Sequence, residues 1–242
     1  MPADTLLAVI PFYKNQRQLD TCLAHLNAQT LPITPWIHDN STDNLGFTKA
    51  VNRGLREAIR AGHRYVVALN QDLYLDPRAI EGLVAFLDRT PRCAIAGIKQ
   101  LSSQNPDIVI HAGCTMAYPT GIHISGLASQ GAGATSAKMP WVNGAFLAAR
   151  IDALIDFGVM DENMFLFGSD SDWCYTARAR QWEVWYCADA QCIHEVGTSQ
   201  NPTVESSEHF RRDMACWHDK WVGSGLFRRL NAEFGLSSLN FG

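Results

Sequence analysis

Polar residues gather where apolar runs stop. Pro11-Phe12-Tyr13 follows Thr5–Ile10, Asp39-Asn40 follows Pro35–His38, and Asn70-Gln71-Asp72 follows Tyr65–Leu69. A further acidic cluster, Asp170-Ser171-Asp172, stands at a loop-to-helix junction. In an open α/β sheet, ligands sit beyond the carboxyl ends of the strands, so these are the positions that face a binding crevice. A carboxylate such as Asp72, closing the apolar Val66-Val-Ala-Leu69, can hold a divalent cation against a diphosphate. Mg2+ and Mn2+ take oxygen ligands and leave positions open for phosphate. His194, in Cys192-Ile-His-Glu195, can complete such a ligand set, although a lone histidine is more often a core or surface residue. Any one Asp at these places also reads as a helix N-cap, Asp172 above all. Three clusters together favour a site. Trp141, Trp173, Trp182 and Trp185 offer faces on which a sugar could stack, but buried packing is their commoner fate.

The crevice has no P-loop. No Gly-x-x-x-x-Gly-Lys-Ser/Thr is present, and the Gly-x-Gly at Gly131-Ala-Gly133 lacks the preceding strand of a dinucleotide fingerprint. The 242 residues are 47% hydrophobic and 18% charged, which describes a folding chain with material for one large core. A net charge of −4 argues against a protein that coats nucleic acid or an anionic membrane. Seven cysteines without a Cys-x-x-Cys pair suit a reducing compartment. The start shows no signal-peptide pattern, and no window of about 18 apolar residues reads as a transmembrane segment.

The elements that must position these residues follow from periodicity. Thr5–Ile10, Pro35–His38, Tyr65–Leu69 and Cys93–Ile98 read as strands, and Gln18–Gln29, Phe47–Ala61 and Pro77–Arg89 as helices, the last with Pro at its first position. Their alternation points to an α/β parallel sheet. From Ile108 to Ala137 there is no Asp, Glu, Lys or Arg, and five glycines interrupt the segment, which reads as a strand and a long loop. Trp141–Ala149 then reads as a strand, Ile151–Phe157 and Asp172–Arg180 as helices, and Glu183–Cys187 as a strand. The tail Glu205–Trp221 is expected to be a helix packing Phe210, Met214, Trp217 and Trp221 on the body, with Arg211, Arg212 and Lys220 hydrated.

In order along the chain, Val9-Ile-Pro-Phe-Tyr-Lys-Asn15, Asp39-Asn-Ser-Thr-Asp43, Asn44-Leu-Gly-Phe47 with Ala50-Val-Asn-Arg-Gly54, and Leu69-Asn-Gln-Asp72 resemble the motifs of the family 2 glycosyltransferases with the GT-A fold, especially the rhamnosyltransferase-like branch. Trp141-Val-Asn-Gly-Ala145, Gly158-Val-Met-Asp-Glu162, Asp170-Ser-Asp172 and Ile193-His194 are similar to its acceptor-side motifs. The resemblance implies a GT-A-like (Rossmann-like) mixed central sheet flanked by helices, with a C-terminal helical tail. It implies a single domain over 1–242, with a nucleotide-sugar half (1–100), an acceptor and catalytic half (101–204) and the tail (205–242).

By that resemblance Pro11, Phe12, Tyr13 and Asp39 would hold the nucleotide base, and Asn70 and Asp72 would take the DxD position. Asp72 and His194 would ligate Mn2+ or Mg2+. Asp170 would be the general base, with Trp141, Asn143, Gly144, Ser169 and Asp172 around the acceptor and sugar. The implied activity is inverting transfer of a sugar from a nucleotide-diphosphate sugar of the UDP or dTDP type to an acceptor hydroxyl. The glycan, lipid-linked or protein nature of that acceptor is left open, as is a homodimer. The implied setting is cytoplasmic, with peripheral attachment to the inner membrane face left open. Three departures stand out: Asn70 at the first DxD position, Ser169 where an acidic partner is usual, and about a dozen missing residues between Asp43 and Asn44. Two alternatives are a nucleotidyltransferase, which would want a Gly-rich basic loop after the first strand, and a catalytically weak carbohydrate- or partner-binding module.

Overall fold

Alternate residues of the first apolar run enter opposite sides of a sheet, as the two-residue period of a strand requires. In β1 (Leu6–Phe12), Leu7 and Val9 join the core shared with Val51 and Leu55 of α2 (Gly46–Ala61), while Leu6, Ala8 and Ile10 join the core shared with Leu19 and Cys22 of α1 (Gln16–Asn27). The computed structural model describes residues 6–114, 123–196 and 204–235.

The remaining strands are β2 (Ile33–Asp39), β3 (Tyr65–Leu69), β4 (Leu73–Leu75), β5 (Cys93–Ser102), β6 (Ile108–His111), β7 (Gly126–Leu127), β8 (Ala137–Lys138), β9 (Phe146–Arg150) and β10 (Glu183–His194). The remaining helices are α3 (Ala79–Arg89), α4 (Ile151–Phe157), α5 (Ser169–Ala179), α6 (Val204–His218) and α7 (Leu226–Asn231). The main sheet runs β2-β1-β3-β9-β5-β10-β4. It is mixed rather than parallel: β9 is antiparallel to both β3 and β5, and β4 is antiparallel to β10. Helices cover both faces, giving the expected GT-A-like architecture with a helical C-terminal tail.

Several expected elements shift for local reasons. Pro77 precedes α3 instead of opening it, because Asp76 folds the chain into a turn, accepting from Arg78 N at 3.1 Å through its side chain and from Ala79 N at 2.9 Å through its carbonyl. The expected strand Trp141–Ala149 shortens to β9, since Trp141–Ala145 leaves the sheet as a loop. β5 and β10 run further than expected, β10 through an irregularity between Cys187 and Gln191. The uncharged segment 108–137 is partly structured: β6 pairs with β5 and β7, and β8 pairs with β10. Residues 115–122, including Gly121, lie outside the described residues.

The tail also departs from expectation. Its helix stops at His218 and continues as one wider, π-type turn, Asp219–Gly223. Trp217 and Trp221 are buried and Met214 packs beside them, but Phe210 is 44% exposed. It meets Phe167 only edge-on, with centroids 5.2 Å apart, because a surface loop lies beneath it and not the core. Lys220 is not freely hydrated, as it pairs with two carboxylates described below.

Candidate functional site

Sheet register brings the first pair of residues together. β4 lies antiparallel to β10 with Leu73 opposite His194, so Asp72, one residue before Leu73, comes beside the imidazole. Asp72 Oδ2 is 3.7 Å from His194 Nε2, and Asp72 Oδ1 is buried with no hydrogen-bond partner. His194 Nδ1 donates to Gln100 Oε1 at 2.9 Å. That direction follows from Gln100 Nε2, which donates to Asn143 Oδ1 at 2.6 Å and so turns the amide oxygen toward the histidine. With its proton on Nδ1, His194 presents the bare Nε2 lone pair on the side of Asp72. An unsatisfied buried carboxylate oxygen beside an imidazole nitrogen fits a divalent cation. Asn70 contributes no charge here, so one carboxylate and one imidazole would leave most positions of a six-coordinate ion for phosphate and water.

The ends of β1, β2 and β3 form the adjoining wall. Gln71 laces two of them together: its Oε1 accepts from Tyr13 N at 2.6 Å and its Nε2 donates to the Tyr13 carbonyl at 3.2 Å. Tyr13 is exposed, whereas Phe12 turns into the core. Lys14 takes a left-handed conformation (φ 58°), lies 4.7 Å from the Tyr13 ring centroid and donates its N–H to Ser41 Oγ at 3.0 Å. Asp39 ends β2 on the surface. The hydroxyl and N–H of Ser41 hold its carboxyl below the ordinary value.

The third part lies at the start of α5. Asp170 Oδ2 accepts from Gly144 N at 2.7 Å and Oδ1 from Ser171 N at 2.8 Å. Each oxygen keeps a further lone pair. Burial pushes the Asp170 carboxyl above its ordinary value, and the two N–H donors only partly offset this. Gly144 permits the approach, since a Cβ there would sit 3.2 Å from Asp170 Cβ. The loop carrying Asn143, Gly144 and Ala145 thus touches every part of the site: Asn143 holds Gln100, Gly144 holds Asp170, and the Ala145 carbonyl accepts from Asn70 N at 2.9 Å.

Ser169 and Asp172 face away from this chemistry. Ser169 is buried and its hydroxyl closes a turn on the Leu166 carbonyl at 3.1 Å. Asp172 is buried and accepts from Trp221 Nε1 at 2.8 Å and from Lys220 Nζ at 2.8 Å; it anchors the tail and makes no side-chain cap on α5. Lys220 also reaches Asp161 at 3.3 Å. Burial alone would lower the Lys220 ammonium, but Asp172 and Asp161 outweigh it and hold the pKa above the ordinary value. Trp141 and Trp173 are buried, while Trp182 and Trp185 are half-buried with Nε1 donated to Asp156 and Glu183.

Gln100 and Asp213 were not singled out by sequence, and Gln71 stood only as a member of the Asn70-Gln71-Asp72 cluster, with no role of its own. Asp213, fully buried in α6, accepts from the N–H groups of Phe165, Leu166 and Phe167 at 3.0, 2.9 and 3.0 Å. It fastens the tail to the loop that leads into Asp170. A cleft beside His194 is lined also by Gln100, Asn143, His111 and His123.

The family described as "Glycosyltransferase like family 2" matches residues 36–218, most of the chain, and the protein belongs to it. No curated protein matches the chain in sequence. Among solved structures, GalNAc-T7 with UDP, GalNAc and Mn2+ is similar with a TM-score of 0.67 at 9% identity, over 97% of this chain and 55% of that one. The mannosyltransferase PcManGT from Pyrobaculum calidifontis, in complex with GDP-Man and Mn2+, is similar with a TM-score of 0.53 at 12% identity, over 80% of this chain and 57% of that one. S. aureus TarS 1-349 in complex with UDP is similar with a TM-score of 0.50 at 14% identity, over 80% of this chain and 58% of that one. At such identities the likeness is one of fold, and this chain spans little more than half the length of each of these three. Among the described residues no helix is long and apolar enough to cross a membrane.

Proposed function

We propose that the protein is an inverting, metal-dependent glycosyltransferase that takes a UDP- or dTDP-type sugar and delivers it to an acceptor hydroxyl. The observation that carries this reading is the Asp72 carboxylate with one buried unpartnered oxygen, set against the Nε2 of His194 at a strand end of a family 2 fold. Asp72 and His194 are the residues to hold Mn2+ or Mg2+, and a bound cation would supply Lewis-acid stabilisation of the leaving diphosphate. Two of the similar structures contain Mn2+, which supports the choice of ion.

The wall of Pro11, Tyr13, Asp39 and Asn70 is assigned to the base and ribose, with Phe12 supporting it from the core. Asp170 is the base. The acceptor oxygen attacks the anomeric carbon on the face opposite the diphosphate, its proton passes to an Asp170 oxygen, and the bond to the diphosphate breaks with inversion. Positive charge developing on the sugar ring is favoured by a nearby carboxylate. Asn143 and Gly144 set the acceptor side, and Ser169 and Asp172, turned away from it, hold the helix start that carries Asp170. The order of the motifs supports the rhamnosyltransferase-like branch. A cytoplasmic setting accords with six of the seven free cysteines being buried, none of them paired in a disulfide.

A thermal-shift screen of UDP, dTDP and GDP with and without Mn2+, followed by donor hydrolysis, tests the reading, since a ligand of the native state raises its melting point. A metal-dependent rise with UDP or dTDP and release of the nucleotide are expected. No shift with any of the three, in a folded protein, would sink the assignment.

A further inference from the structure

We propose that His111, Cys114 and His123 form a second metal site, for a soft divalent ion of the zinc type, beside the Asp72–His194 pair. A ligand atom from each of the three lies within 4.8 Å of the other two. His123 Nδ1 is 2.7 Å from His111 Nδ1 and 3.4 Å from Cys114 Sγ. Three groups with metal-binding lone pairs therefore converge on one point, where hydrogen bonding inside the trio satisfies one contact at a time. The other nitrogen of His111, Nε2, is buried with no partner at all.

The backbone builds this convergence. His111 ends β6 and pairs with Gln100 of β5. Gly113 then takes a left-handed conformation (φ 92°), and its missing Cβ leaves room for Met139, whose Sδ would lie 2.8 Å away. The turn delivers Cys114, fully buried, into an antiparallel bridge with His123. His111 is thereby held by the sheet, and Cys114 by its bridge to His123.

Donor chemistry separates this site from the first. Two imidazoles and a thiol suit zinc, which is held by Cys and His in tetrahedral sites, whereas Mg2+ and Mn2+ prefer carboxylates and phosphate oxygens. Three protein ligands leave a fourth position, and the cleft lined by His111, His123 and His194 gives it access. On binding, Cys114 releases its thiol proton to solvent and its sulfur pair forms the metal bond, with no change of oxidation state. The ion would tie His123 to His111 and Cys114 beside the cleft that holds His194.

The test uses the full chain, stripped with chelator and titrated with Zn2+ or Co2+ in the absence of nucleotide. One equivalent of tightly held Zn2+ is expected, and Co2+ should give a thiolate-to-cobalt charge-transfer band. Cys22 and Cys192 both lie within electrostatic reach of Asp72, so the thiolate must be assigned by mutation. The band should survive Asp72→Ala and vanish in Cys114→Ser, and His123→Ala should weaken Zn2+ at least tenfold. His123 is solvent-exposed, so that variant is expected to fold even if Cys114→Ser does not. A folded wild-type chain without the band, a band lost in Asp72→Ala, or unchanged Zn2+ affinity in His123→Ala would each overturn the proposal.

Discussion

His194 and Gln100 are joined by a 2.9 Å hydrogen bond from Nδ1 to Oε1, and that bond decides which imidazole nitrogen is free to face Asp72. Gln100 touches no expected substrate, yet it selects the tautomer on which cation binding depends. Gln100→Leu is expected to lower the Mn2+-dependent affinity for UDP by about 10- to 100-fold, as loss of such a supporting partner does elsewhere. Asp72→Ala should remove the Mn2+ dependence altogether. Calorimetry with and without Mn2+ measures both, and equal affinities in all three proteins would remove the cation from this pair.

Asp170→Asn keeps the shape of the site and removes the proton acceptor. Turnover is expected to fall by about 10²-fold or more, with donor affinity nearly unchanged. Steady-state kinetics and calorimetry read the two separately. Near-normal turnover would move the base elsewhere.

Burial raises the Asp170 carboxyl, and the sign of its pH effects follows. Ionised Asp170 is the active form, so activity should drop as pH falls through a midpoint above the ordinary 3.8. For stability the direction is opposite. A carboxyl whose folded pKa is raised contributes fully below its unfolded pKa, and the contribution is lost as pH rises through the folded value. Relative to wild type, the melting temperature of Asp170→Asn should therefore be more favourable at pH 7 than at pH 4. An unchanged difference between the two pH values would count against a raised carboxyl.

Lys220 is the counter-charge of a carboxylate that is 1% exposed. Removing one partner of a buried pair leaves the other charge uncompensated, so Lys220→Met should cost about 3 kcal/mol. Asp172 keeps its Trp221 donor in that variant. Urea denaturation measures the cost, and a change below ~1 kcal/mol would show that solvent already screens the pair.

Asp213→Ala withdraws the acceptor from three consecutive N–H groups just ahead of Asp170. A hydrogen bond to a charged group is worth about 1.5–3 kcal/mol, so a loss near the upper end is expected. Amide exchange at 165–167 should quicken and turnover should fall with it. Unaltered exchange there would mean that the loop holds its shape without the tail.

What sequence shows of this protein is whatever is local. β1, β3 and α2 follow from runs and periods a few residues long, and the strand-end position of Asp72 follows from β3. The parts that escape sequence are distant pairings. Gln100 meets Asn143 and His194 at separations of 43 and 94 residues, Gln71 meets Tyr13 at 58, and Asp213 meets Phe165 at 48. Nothing in the neighbourhood of a glutamine says which distant group it will orient. β4 escapes because three residues carry no period, and the antiparallel direction of β9 escapes because strand alternation is the same either way. Phe210 and Lys220 were misjudged for one reason: helical spacing gives the face a residue lies on, but not what the rest of the chain places opposite it.

The place of β9 in the sheet has a consequence for dividing the chain. Among the described residues, hydrogen bonding along the main sheet passes from β3 to β5 only through β9, which comes about fifty residues after β5 begins. A polypeptide ending before residue 146 would contain β2-β1-β3 and β5 as separate pieces, each with a raw strand edge. Those edges are Tyr65–Leu69, buried at all five positions in the intact fold, and the apolar start of Cys93–Ser102. Unpaired apolar edges recruit one another between molecules. The first hundred residues made alone should therefore collect in inclusion bodies, however complete their nucleotide-facing residues are.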